Sequence, residues 1–323
     1  MALANANEWA GEGGIEKKQL KTMTFLELAE LVIKEENKPL TSNEIWNVAV
    51  KKGYDKQLNS EGKTPWATLG ALIYVNVKDH PKSIFSKTDS RPKRFYLKDM
   101  EGKIDLYENK IPEEPITKKK KFDFLEKDLH KHLTFFAYYY MQCYTKTINH
   151  SVSNKKEFGE WVHPDMVGCY YRTQDWKKEV GNFSNAIGVK SIVLYSFEIK
   201  RELSFGNLRE SFFQCVSNSS WANESYLVAA RISEDEDFMK ELERLCLSFG
   251  IGVIELDVED PHSSDVIIPA KYKKDLDFET INKLAMNSDF REFLETIQID
   301  YTSGKIHHKE YDKVFEVEEL INN

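Results

Sequence analysis

"SIVLYSFEIK", residues 191–200, is the stretch on which the fold turns. Val193, Tyr195, Phe197 and Ile199 alternate with Ser196, Glu198 and Lys200. A strand sends successive side chains to opposite faces, so the pattern predicts a buried strand whose second face ends in a carboxylate and an ammonium. An acid two residues before a lysine says nothing alone. Six other instances occur in the chain, among them residues 36–38, 61–63 and 175–177. What distinguishes this one is its place on an apolar strand downstream of Asp165 in "HPDMVG", where Pro164 favours extended backbone in the residue before it.

Outward from this strand, "FDFLEKDLHKHLTFFAYYYMQCY" (122–144) reads as one long helix. Leu125, Leu129, Leu133 and Phe136 form its stripe and Glu126 stands at its edge. An extended segment follows in "GEWVHPDMVGCYY". After the central strand come a helix near 207–216, the strand "SYLVAARI", the acidic helix "SEDEDFMKELERLCLSFG" and the strand "IGVIEL". Helix, strands, helix and strand outline an α/β unit around a mixed sheet. Two helices in "DFETINKLAMNSDFREFLETIQI" are expected to cover it, with the acidic "KVFEVEELINN" as a packing tail or dimer contact. Asp165 and Glu198, converging from neighbouring strands, offer hard oxygen ligands for Mg²⁺ or Mn²⁺. Lys200 is placed to stabilise charge on a phosphate or to hold a water. "NSSW" (218–221) reads either as a loop approaching DNA or as a simple turn of the chain.

The front of the chain reads differently. Phe25, Leu28, Ala29, Val32 and Ile33 keep helical spacing from Thr24 to about Glu36. Thr41 and Glu44 have capping-box spacing ahead of a second helix that Gly53 can stop. Thr64 and Pro65 open a third. "IFSK" and "RFYLK" then flank "TDSRP" as a hairpin. Three short helices and a basic hairpin make a winged helix, in which the third helix enters the major groove and the hairpin lies along the backbone. Lys63, Thr64 and Thr68 then belong to the reading helix. Lys87, Arg91, Lys93 and Arg94 supply the wing's phosphate contacts.

The net charge of −8 hides an asymmetry: residues 15–100 carry 16 basic against 11 acidic side chains, and 101–323 carry 29 against 40. A basic front is a mild sign of a polyanionic partner. "ENKIPEEPITKKKKF" has two prolines, a four-lysine run and no periodicity, so 108–121 is read as a linker between units at 23–107 and 122–323. Residues 1–22 read as a polar leader without the features of a secretory signal, and no apolar run is long enough for a membrane span. The four cysteines are scattered, which argues against a zinc site or disulfide framework. A cytoplasmic protein is expected.

"PLTSNEIWNVAVKKGY", "GKTPWATLGALIY" and "RFYLK" resemble the HARE-HTH domain, a winged helix of chromatin proteins and restriction endonucleases, over about Met23 to Lys98. "HPDMVG", "FEIK" and the helix carrying Glu126 resemble the PD-(D/E)xK nuclease superfamily, over roughly Lys121 to Leu256. The second resemblance implies metal ligation by Asp165, Glu198 and Glu126, a catalytic Lys200, and Gln214 near the metal site or the DNA. Together the two imply a restriction-type endonuclease on double-stranded DNA; cutting both strands needs two sites or two visits to one site, so a homodimer is expected. The alternative is a non-catalytic winged-helix regulator whose nuclease-like unit serves dimerisation.

Overall fold

Local chemistry sets the first helices. Thr24 and Thr41 each accept a hydrogen bond from the backbone three residues on, while Glu27 and Glu44 reach back, so both capping boxes form. Each cap is worth about 1 kcal/mol. They open α1 (Phe25–Glu36) and α2 (Ser42–Lys52), and Gly53 closes α2 at φ 75°. In this computed structural model residues 23–58, 65–88, 92–103, 124–149, 163–172, 176–188 and 191–321 are described. The leader, the linker and the wing tip around Arg91 lie outside them, as do Lys63 and Thr64.

Helix α3 (Pro65–Asp79) follows, then β1 (Phe85–Lys87) and β2 (Phe95–Leu97), paired antiparallel with Phe85 opposite Leu97. Leu40 bridges to Phe95 and ties the hairpin to the turn between α1 and α2. This is the helical, wing-bearing unit expected.

The expected long helix at 122–144 is shorter. A single 3-10 turn at Glu126–Asp128 precedes α4 (Leu129–Met141), and Gln142, at φ 55°, ends it. The chain then enters β3 (Tyr144–Thr147), which the sequence reading did not mark beyond counting Tyr144 in the helix. Four residues are too few to reveal a two-residue period against the aromatic run before them. The remaining elements are β4 (Met166–Tyr171), α5 (Lys178–Ala186), β5 (Ile192–Lys200), α6 (Leu208–Ser217), β6 (Glu224–Ala229), α7 (Glu236–Phe249), β7 (Gly252–Glu255), β8 (Asp265–Ile268), α8 (Phe278–Leu284), α9 (Ser288–Ser303) and α10 (Val317–Ile321). Helix α5 and strand β8 had no counterpart in the sequence reading.

The six strands run in the order β3-β4-β5-β6-β7-β8. The β3-β4-β5 pairs are antiparallel, β5-β6-β7 parallel, and β7-β8 antiparallel. Parallel neighbours need crossovers, and α6 and α7 supply them. Alternation on β5 assigns the two faces. Val193, Tyr195, Phe197 and Ile199 join an apolar cluster with Leu133 and Phe136 of α4 and Ile73 of α3. Ile192 and Leu194 pack on the other side with Trp221 and Phe290. Each fully buried aliphatic or aromatic side chain contributes roughly 1.5–3 kcal/mol.

The first cluster is continuous from α1 to β7, so the front unit packs on the sheet domain through α3 and α4. Tyr74 of α3 stands edge-on to Tyr140 of α4, their ring centres 5.3 Å apart. Gly168 on β4 allows close layering: a Cβ there would lie 2.4 Å from Cys143 Sγ and 3.1 Å from the Phe197 ring. All four cysteines are buried and free. No helix among the described residues is long and apolar enough to cross a membrane.

Candidate active site and candidate nucleic-acid interface

Strands β4 and β5 bring the predicted acids together. Met166 pairs with Phe197, and the antiparallel register carried one step further sets Asp165 against Glu198. Asp165 is fixed at the entrance of β4 from two sides. Its Oδ2 accepts from Ile199 N–H at 2.7 Å, and its carbonyl accepts from Ile148 N–H at 3.0 Å. The first bond locks its carboxyl to the residue lying between Glu198 and Lys200.

Glu198 is 1 % exposed. Its Oε1 accepts from Lys200 Nζ at 2.8 Å, and its Oε2 from Asn218 Nδ2 at 3.4 Å. The Asp165 carboxyl is in hydrogen-bonding contact with it. Burial, then the Asp165 charge, push the Glu198 carboxyl up to about 8, against the pull of Lys200. The Glu198 carboxyl is therefore held toward its neutral form.

Glu126 completes the group from the turn before α4. Burial raises its pKa first, Lys200 lowers it and Asp165 raises it again, while the Arg201 backbone N–H donates to its carboxyl. For Lys200, burial pulls the ammonium's pKa down, but Glu198, Asp165 and Glu126 more than reverse this and the net shift is upward. Four side chains far apart in sequence thus share one electrostatic environment: three acids and one ammonium, short of positive charge.

Gln214 takes no part among the contacts of these carboxyls. It is half-buried on α6, and its carbonyl accepts from Asn218 N–H. The amide that reaches Glu198 belongs instead to Asn218, one helical turn later on the same side of the chain. Trp221 is fully buried against Phe290, at 5.1 Å between ring centres, and belongs to the core.

The residues expected to face nucleic acid are placed less openly. Thr68 is half-buried on α3. Lys87 Nζ lies 3.0 and 2.7 Å from the two carboxyl oxygens of Asp265 on β8, and Lys93 Nζ bonds the same carboxylate. Tyr74 Oη donates to it at 2.6 Å, and the Lys87 ammonium sits 4.7 Å from the Tyr74 ring centre. Lys93 N–H also donates to Ser263 Oγ at 3.2 Å. Burial would raise Asp265, but Lys93, Lys87 and Tyr74 together hold its carboxyl below the usual range. Arg94 pairs with Glu44 at 2.5 Å and donates to the Pro39 carbonyl. Both described wing lysines are therefore bound to the sheet domain, and Arg94 to its own unit.

Residues 23–95 match the HARE-HTH family, whose description names the HTH domain of ASXL proteins and restriction endonucleases. The front unit is accordingly a HARE-HTH domain, ending on β2 and leaving the carboxyl cluster outside the match. No curated protein and no solved structure matched the chain.

Proposed function

We propose that this chain is a Mg²⁺- or Mn²⁺-dependent DNA endonuclease of restriction type, its HARE-HTH domain holding duplex DNA for the PD-(D/E)xK-like sheet domain. The observation that carries the reading is the meeting of Asp165, Glu198 and Lys200 at the β4–β5 edge. The domain's family supplies the DNA partner.

The acids suit a hard divalent cation. Two carboxyls crowd one another with a single ammonium between three acids, which is the charge balance a cation would restore. Among the described residues no three His, Cys, Asp or Glu side chains form a metal-enclosing group. Mg²⁺ does not require one, since it binds through one or two carboxylates and fills its shell with waters and substrate phosphate. Asp165 and Glu198 would hold the ion, with Glu126 adding negative charge behind them. Bound there, it would polarise the phosphodiester and lower the pKa of its water.

The protein's own groups account for the rest. Glu198 must give up its proton to become a ligand, so cation affinity rises with pH toward about 8. Lys200 stays charged and is positioned to stabilise negative charge building on the phosphate. Asn218 fixes the rotation of the Glu198 carboxyl. Cutting both strands takes two sites or two visits to one site, and two copies on one duplex are part of the proposal.

A plasmid-cleavage assay with Mg²⁺, on wild type and Asp165→Ala, tests it. Cleavage in the first and none in the second is expected. The second reading, a regulator that binds without cutting, draws on the engagement of Lys87 and Lys93 by Asp265, which makes the wing a docking element. DNA retention without cleavage, on substrates from several modification backgrounds, would decide for it. Gel filtration with and without DNA tests the dimer, and a monomer in both would refute that part.

A further inference from the structure

Three acids that share one ammonium repel a polyanion, and duplex DNA carries one negative charge for about every 1.7 Å of its axis. Lys200 Nζ is already given to Glu198 at 2.8 Å. Further cations stand where β5 and β6 end. These strands run parallel, with Lys200 beside Ala229, and ligands of α/β sheets gather at the carboxyl ends of parallel strands. Arg201 follows β5 directly, and Arg231 lies two residues past β6.

Both arginines are set on fixed backbone. Glu126 accepts from the Arg201 N–H, and the Arg231 carbonyl accepts from Leu203 N–H at 2.8 Å. Their side chains converge on Phe124, in the segment leading to Glu126, with guanidinium carbons 5.7 and 5.8 Å from its ring centre. A ring face attracts a guanidinium without taking its N–H groups, so the donors of each remain available. Among the described residues neither guanidinium makes an ion pair or hydrogen bond, whereas Arg94 is held by Glu44, and Arg209 and Arg244 by Glu241. Arg201 is exposed and Arg231 half-buried. The Arg201 charge reaches Glu126, more weakly than that of Lys200. Two guanidiniums oriented by one ring thus border the carboxyl cluster without an anion, and the fork of each matches phosphate oxygens.

We propose that Arg201 and Arg231 grip a backbone phosphate of duplex DNA beside the carboxyl cluster, with Phe124 holding both in place. A phosphate is favoured over a peptide carboxylate because the HARE-HTH domain gives the same chain a DNA partner. Contacts to phosphate position the duplex and carry no base information, so the grip is independent of sequence. Only the placement of the DNA over the carboxyls rests on the cleavage reading.

Fluorescence anisotropy of the full chain on a short labelled duplex, in EDTA and over a salt series, tests it. Arg201→Ala and Arg231→Ala should each weaken binding about tenfold, equally on unrelated sequences, and flatten the salt slope by about one. Arg201→Lys and Arg231→Lys should restore the slope without the full affinity. Phe124→Leu keeps both charges, so the slope should hold while affinity falls severalfold. Unchanged affinity and slope in the double alanine variant, a lowered urea midpoint with the slope intact, no duplex binding by wild type at low salt, or equal binding of polyglutamate would overturn the proposal. If wild type binds with this arginine dependence yet cuts nothing in Mg²⁺, the grip stands and the cleavage reading falls. If the double variant cuts with unchanged KM, the grip alone falls.

Discussion

Glu198 and Asp265 are both largely buried carboxyls bonded to lysine, yet their proton affinities move in opposite directions. Asp265 faces two ammonium groups and a phenol, and is held as an anion. Glu198 faces one ammonium and another carboxyl, and is pushed toward its neutral form. Burial costs each of them; only the neighbours differ. A carboxyl surrounded by enough positive charge holds elements together, whereas one left short of it is driven toward its neutral form. Asp265 fastens the wing to the sheet. Glu198 waits beside a second acid.

The contrast is broken most severely at Lys200. Lys200→Ala should lower single-turnover plasmid cleavage on the order of 10²–10³-fold with DNA retention intact, as measured by gel shift. An unchanged rate would remove Lys200 from the chemistry. Next comes Asp265→Ala, which leaves two wing lysines facing each other. Breaking a well-buried pair costs about 3–5 kcal/mol, and the partial exposure of the lysines reduces this to about 2–3 kcal/mol in urea unfolding. The freed lysines should also tighten DNA binding and steepen its salt dependence by up to about two charges.

The pH dependence sharpens the contrast further. Because the folded pKa of Glu198 is raised, its contribution to stability is full below about 4.5 and is lost as pH rises through about 8. Asp265, with its folded pKa depressed, contributes above its ordinary carboxylate pKa and loses that contribution as pH falls through its lower folded value. Glu198→Gln should therefore gain on wild type by about 2 kcal/mol between mildly acidic and mildly alkaline urea unfolding, and added Mg²⁺ should erase the gain. A gain that is the same at both ends of that range would mean Glu198 is ionised throughout. The smallest effect is expected at Asn218→Ala, about 1 kcal/mol in stability with cleavage slowed severalfold, since its bond to Glu198 is long.

Much of this was legible beforehand. The capping boxes at Thr24 and Thr41, the hairpin at 85–97 and the alternation on β5 are local features, and each appears where the residues placed it. The convergence of Asp165 with Glu198 was legible too, because strand parity and order restrict which faces can meet. Strand β3 escaped because four residues after an aromatic helix show no period of their own. Asn218 escaped because a polar residue at a helix end has a local explanation and its partner is on another element.

Taken alone, then, the sequence determined the capped front helices, the hairpin and the apolar face of β5, since periodicity and capping act within a few residues. It also determined that an acid-rich strand edge exists. The docking of α3 on α4 decided which charges remain available, bringing Lys87 against Asp265, 178 residues further along the chain. No local pattern encodes that encounter, because electrostatic pairing depends on distance in space, and that distance is set only when the layers pack.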